Sequence, residues 1–367
     1  MRSVSIVGAG QIPAKLDGSR PAGGLAASAL KLALADAAHP LLQALFVSSM
    51  YCEYNAAELA TLTGGIPGVE ARCIAPDGGG GAALHMAVQA VAAGAYDIVA
   101  LVGVDSVLKR APAASPDESG QGLSCIELDA LIMRRYLYEY GWQRNDFAPF
   151  VINARRNALA NRCAAVRTRL EVQQYIDADV DADPLTILDS APTCSGAAAV
   201  VLCPSNAAQG LARSAVCVAA SAVGRDALAL HDRADILRLH AAHEATSAAY
   251  AQAGLGPQDI DIFELHDSST IMAALSLEAA GFAEQGDGAR LGISGAIAAG
   301  GRIPISTCGG LLARGDAGAA SGVYQAVEAV LQLRAEAAGN QVDGARVALI
   351  QSMTGSGACA ATHILHV

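Results

Sequence analysis

Lysine is nearly missing from this sequence: Lys15, Lys31 and Lys109 are the whole supply in 367 residues. With 24 basic residues against 35 acidic ones, the formal net charge is −11. That balance excludes a nucleic-acid-binding surface, which depends on clustered Lys and Arg. There is also no polybasic run for anionic lipid. Aromatic residues make up 4% of the chain, so the core is expected to rest on close packing of small and aliphatic side chains rather than on aromatic anchors. No apolar run reaches the roughly 18 residues of a membrane-spanning helix. The start, MRSVSIVGAG, reads as a strand and not as a charged leader with a cleavage site. Nine cysteines show no CxxC or Cys/His spacing of a metal site. Several lie in apolar runs, such as Cys203 and Cys217, and read as buried free thiols of a reducing compartment. The expectation is a cytoplasmic protein with no metal, no nucleic acid and no membrane contact.

What is abundant is apolar: 53% of residues are hydrophobic, and glycine numbers 38. The length suits two domains. Residues 1–204 read as a first half, with an inserted, more charged segment over 107–190, and residues 205–367 as a second half. Apolar strands such as SVSIVGAG, DIVALVGVDS and CSGAAAVVLCP alternate with helical stretches, which predicts an α/β protein with a parallel or mixed sheet covered on both faces. The insert carries the amphipathic stretches LDALIMRRYLYEYG and FVINARRNALANRCAAVR. The segment GGGGAALHMAVQAVAAGAYDIVALVG is echoed by GAASGVYQAVEAVLQLRAEAAG followed by ARVALIQSM. A repeated helix–strand unit indicates a duplicated fold. GAGQIP in the first strand lacks the full G-x-G-x-x-G and the later acidic residue of a dinucleotide site.

These stretches, together with RRYLYEYGW, AGLGPQDIDIFELHDSSTI, GGLLARGDAGAASG and the end VALIQSMTGSGACAATHIL, resemble the thiolase superfamily. The resemblance is strongest to its sterol-carrier-protein-type thiolases and their thiolase-like relatives. It implies the thiolase fold: two similar halves in five layers, αβαβα, with an inserted helical loop domain. It also implies a homodimer that pairs edge strands of the first halves, for which DIVALVGV is the apolar candidate.

Thiolases attack a thioester with a cysteine at a helix N-terminus, where the helix dipole and free N–H groups favour the thiolate. Aligning on Ala83 and Leu84 puts Asp77 in that place, with Cys73 four residues upstream. Asp77 is either an N-cap or a catalytic carboxylate. An acyl group on a carboxylate would be an unstable mixed anhydride, which argues against a stored acyl-enzyme. The superfamily's Gly-His-Pro turn is replaced by Gly315-Asp316-Ala317, and Asp316 is either a base or a helix cap. The second cysteine, a proton shuttle, is replaced by Met353, which cannot carry a proton. The glycine-rich loop behind it survives as Gly355-Ser356-Gly357. Glu264-Leu265-His266-Asp267 matches the Glu-x-His-Asp signature, with His266 able to donate into an oxyanion hole. The resemblance thus gives His266, Asp77 and Asp316 as catalytic candidates. Ser268, Gly309, Gly310, Gly355 and Met353 become substrate-binding candidates.

The expected function is that of a thiolase-like protein of the acyl-CoA acyltransferase superfamily, handling acyl-CoA thioesters without cysteine-based Claisen thiolysis. The CoA thioester is the substrate, and no further cofactor is expected. One alternative is retro-aldol cleavage of β-hydroxyacyl-CoA, which needs a base and an oxyanion site but no cysteine. Asp77, Asp316, His266 and a tyrosine such as Tyr324 or Tyr51 could supply these groups, and a small OB-fold protein is the implied partner. Another is a non-catalytic subunit pairing with an active thiolase. Arg134, Arg135, Arg155, Arg156 and Arg162 are candidates for the CoA phosphates, or plain surface charges.

Overall fold

The computed structural model describes residues 2–18, 21–50, 69–74, 79–106, 115–211 and 214–367. Asp77, Tyr51 and Lys109 lie outside the described residues. The strands are β1 (Val4–Gln11), β2 (Ala44–Ser48), β3 (Glu70–Ile74), β4 (Val99–Asp105), β5 (Val180–Ala182), β6 (Leu185–Thr186), β7 (Gly196–Pro204), β8 (Val216–Arg225), β9 (Ile262–Glu264), β10 (Val347–Thr354) and β11 (Cys359–His366). The longer helices are α1 (Ala22–Asp36), α2 (Gly79–Ala92), α3 (Cys125–Tyr140), α4 (Ala148–Ala158), α5 (His240–Ala253), α6 (Thr270–Ala279) and α7 (Ala319–Leu333).

Nine strands share one hydrogen-bonded ladder, in the order β3-β2-β4-β7-β1-β8-β11-β10-β9. Its two halves repeat one pattern. β1 runs antiparallel to β7, β7 antiparallel to β4, and β4 parallel to β2. In the same way β8 runs antiparallel to β11, β11 antiparallel to β10, and β10 parallel to β9. The helix–strand echo in the sequence is therefore a repeat in space, with α2–β4 matched by α7–β10. The halves join through a short antiparallel pairing of Val4–Ile6 with Val216–Val218.

Helix packing stacks this ladder into five layers. α1 covers β1, β4 and β7, while α2 and α7 lie between the two halves and touch strands of both. α5 closes the other side on β8 and β11. The central helices are buried on nearly all faces, which is why they are rich in Ala, Gly and Val. They approach so closely that a Cβ on Gly80 would sit 2.1 Å from the Ala319 carbonyl oxygen, and one on Gly322 2.5 Å from the Gly81 nitrogen.

Two expectations need correction. DIVALVGV is not an edge: β4 lies between β2 and β7, because its residues are buried on both faces, and the outer strand on that side is β3. The core is also not free of aromatic anchors. In the insert, Tyr136, Phe147 and Phe150 are fully buried and stack in sequence, with ring centroids 5.8 and 6.2 Å apart. Small side chains suffice between sheet and helix, but the insert's helices leave gaps that rings fill.

Candidate active site

A half-open cavity of about 420 Å³ lies where the insert meets the ends of the central elements. Its wall is built from the N-terminus of α2, the start of α3, the segment after β9, the turn before α7 and the loop joining β10 to β11. The lining is mostly small and hydroxylic, and His266, Ser268, Met353, Gly355 and Asp316 all belong to it. Gly309 and Gly310 do not line it, and neither do the five arginines proposed for phosphate. Arg134 pairs with Asp183 and Arg135 with Glu139 on the surface.

The Glu-Leu-His-Asp signature divides its labour. β9 ends at Glu264, and the chain then turns so that His266 faces the cavity. The two carboxylates point away and hold the neighbouring loop. Glu264 accepts from the backbone and the hydroxyl of Thr307. Asp267 accepts from the Leu311 N–H at 2.7 Å and the Ser306 hydroxyl at 3.1 Å. This accounts for the two glycines expected to bind substrate. A Cβ on Gly310 would meet the Asp267 carboxylate at 2.1 Å, and one on Gly309 would meet Ala158 at 2.9 Å. Both glycines sit at positive φ, 110° and 55°. They let the loop close on Asp267 and α4.

Beneath this loop Arg314 and Glu328 form a fully buried ion pair at 3.0 Å. Burial pushes Glu264 up to about 7 and Asp267 up to about 6. It raises Glu328 as well, against the pull of Arg314. Three buried acids around one guanidinium oppose one another's ionisation.

His266 is pushed down to about 4, first by burial, with Arg314 adding to the effect and Asp316 opposing it. The imidazole is neutral at pH 7, and its Nδ1 has no hydrogen-bond partner. Asp316 sits beside it on the wall. Its Oδ1 accepts from the Gly318 N–H at 3.0 Å and the Ser321 hydroxyl at 2.7 Å. It is thus both a cap-like residue and a cavity residue. The first N–H of α7, on Ala319, is held instead by Asp105 from the end of β4, at 2.7 Å. Met353 is buried in the wall as a thioether. Tyr324 is no site residue: its hydroxyl donates to the Ile12 carbonyl at 2.6 Å and accepts from the Ala197 N–H at 3.1 Å.

The insert adds residues that the sequence reading missed. A capping box fixes the start of α3, with the Ser124 side chain on the Ile126 N–H and the Glu127 carboxylate on the Ser124 N–H. Cys125 and Asp129 then share one helix face, i and i+4, and both line the cavity. Cys125 is pushed up to about 11 by burial first and by Asp129 and Asp316 besides. Asp129 is pushed up to about 6 by burial. A sequence signal existed: Asp129 falls on the apolar stripe with Ile132 and Met133.

The cavity, with His266 and several hydroxyls in its wall, lies at a junction between two repeated α/β halves. The family described as "Thiolase C-terminal domain-like" matches residues 222–367. An "Acetyl-CoA acetyltransferase" of Methanothermobacter thermautotrophicus is 40% identical over 304 residues, covering 81% of this chain and 78% of its own. "Sterol carrier protein 2" of Rattus norvegicus is 28% identical, over 77% of this chain and 56% of its own. The solved structure titled "Ltp2-ChsH2(DUF35) aldolase" superposes with a TM-score of 0.89, at 23% identity, over 100% of this chain and 98% of that one. The chain belongs to the thiolase superfamily and has that superfamily's fold.

Proposed function

We propose that the cavity binds the acyl end of a β-hydroxyacyl-CoA and that the protein cleaves its Cα–Cβ bond by retro-aldol chemistry, without a cysteine acyl-enzyme. The observation that carries this reading is the state of the described wall. Its thiol, Cys125, is held protonated, while its histidine is neutral with an unpartnered nitrogen. A neutral imidazole carrying its proton on the free nitrogen donates to a thioester oxygen without first losing a charge.

In this reading His266 donates to the thioester oxygen and stabilises the enolate. The β-hydroxyl loses its proton to a carboxylate, the Cα–Cβ bond breaks, and its electron pair moves into the enolate. An aldehyde or ketone leaves, and protonation of Cα gives the shorter acyl-CoA. Asp316 supplies negative charge beside His266, and Asp77, outside the described residues, stays a candidate carboxylate by resemblance alone. Met353 takes no part in proton transfer and closes the wall. We extend the proposal to a homodimer formed through the outer strand β3, to a small OB-fold partner and to a cytoplasmic location.

The test is product analysis. 3-Hydroxyacyl-CoA thioesters of increasing chain length are incubated with the purified protein, alone and with a candidate OB-fold partner. Release of acetyl-CoA with an equimolar aldehyde is the expected result. No cleavage of any of them would overturn the reading and leave a non-catalytic subunit.

A further inference from the structure

Asp129 is unusual among the cavity residues. It is 4% exposed, yet it borders the cavity. One oxygen, Oδ2, accepts from the Ser269 hydroxyl at 2.7 Å, and the Ser356 hydroxyl also lies beside the carboxylate and stabilises its charge, yet Oδ1 has no hydrogen-bond partner of normal geometry. A buried carboxylate oxygen left without a donor is costly, and such atoms in folded proteins call for an explanation. The surroundings limit what that explanation can be. Among the described residues the cation that acts on it is Arg233, whose guanidinium is committed to the carbonyls of Ser356 and Gly355 at 2.8 and 2.9 Å. It holds the β10–β11 loop and does not pair with Asp129. Ser269 belongs to the segment that carries His266 and Ser268, so its hydrogen bond ties the Asp129 carboxylate to the strand end that presents the imidazole. Asp316, by contrast, already accepts two hydrogen bonds on Oδ1.

A ligand group in the cavity would supply the missing donor, and an unpartnered carboxylate oxygen accepts only from O–H or N–H. We propose that Asp129 receives the β-hydroxyl hydrogen of the bound acyl group and, in turnover, is the catalytic base that takes this proton. The assignment rests on the retro-aldol reading and completes it. The proton passes from the hydroxyl oxygen to Asp129, the Cα–Cβ electron pair passes to the enolate held by His266, and Asp129 returns the proton to Cα. No proton is gained or lost overall, and no co-reactant is needed. Burial keeps the carboxyl poised near the working pH, where a general base is most effective.

Binding and turnover separate the two claims. Two non-cleavable thioethers, S-(3-hydroxybutyl)-CoA and S-butyl-CoA, lack the carbonyl needed for the enolate and are titrated by calorimetry. The wild-type protein is expected to bind the hydroxylated compound about tenfold or more tightly, the scale of a hydrogen bond to a charged group. Asp129→Leu should bring the ratio near one. Asp129→Asn, which is nearly isosteric and safe if Asp129→Leu fails to fold, should keep part of the preference, because an amide oxygen still accepts. It should nevertheless lose at least 10²-fold in cleavage of 3-hydroxybutyryl-CoA. A wild-type ratio of one, a preference that survives Asp129→Leu, or full cleavage by Asp129→Asn would overturn the proposal. A preference that Asp129→Leu abolishes, in a wild-type protein that cleaves nothing, would keep the hydroxyl contact and sink the retro-aldol reading together with the base role.

Discussion

At the scale of single residues, the site is a set of groups held away from their ordinary protonation. Asp129 is the plainest case. Its folded-state value lies above the ordinary one of 3.8, at about 6. The folded protein therefore binds more protons than the unfolded chain between those values, and stability falls as pH rises through that window. At pH 7 the carboxylate opposes folding by ~3 kcal/mol at most. Asp129→Asn should thus raise the melting temperature by several degrees at pH 7, and the gain should shrink toward pH 4, which differential scanning calorimetry reads directly. His266 makes the complementary prediction. His266→Ala should lower cleavage by about 10²–10³-fold, the usual loss for one oxyanion donor. Because His266 titrates near 4, wild-type kcat/KM should show no imidazole step between pH 6.5 and 8. His266, Asp316, Met353, Gly355 and Ser268 were legible in the sequence because each lies in a contiguous motif. Asp129 was legible only as an acid on an apolar stripe: its role depends on Ser269, 140 residues away, and on the cavity that the fold assembles around it.

At the scale of elements, glycine decides how closely parts approach. The long apolar helices and strands were readable from composition, and so was the echo between α2–β4 and α7–β10. The depth of the contact between α2 and α7 was not, since it is set by backbone meeting backbone. Gly80→Ala would drive a Cβ into the Ala319 carbonyl. It should cost about 1–3 kcal/mol, the scale of an overpacked core, and chemical denaturation would measure it. The loop over 305–314 is a second case. Its glycines sit beside a site signature and so looked like ligand contacts, yet they serve the Asp267 carboxylate. Gly310→Ala combines a 2.1 Å clash with a φ of 55°. It should destabilise the protein by about 1–3 kcal/mol and disturb His266 only through the loop.

At the scale of the whole molecule, a repeated half-ladder buries two central helices, and the insert closes a cavity over the join. The two carboxylates Asp129 and Asp316 reach it from different parts of the chain, the insert and the second half. The central claim is that carbon–carbon bond chemistry here proceeds by acid–base catalysis and not through a cysteine thioester. The most direct measurement is peptide-level mass spectrometry of the protein quenched during incubation with acetoacetyl-CoA. The account predicts unmodified cysteines throughout. An acetylated peptide containing Cys73 or Cys125, formed in stoichiometric amount, would contradict it.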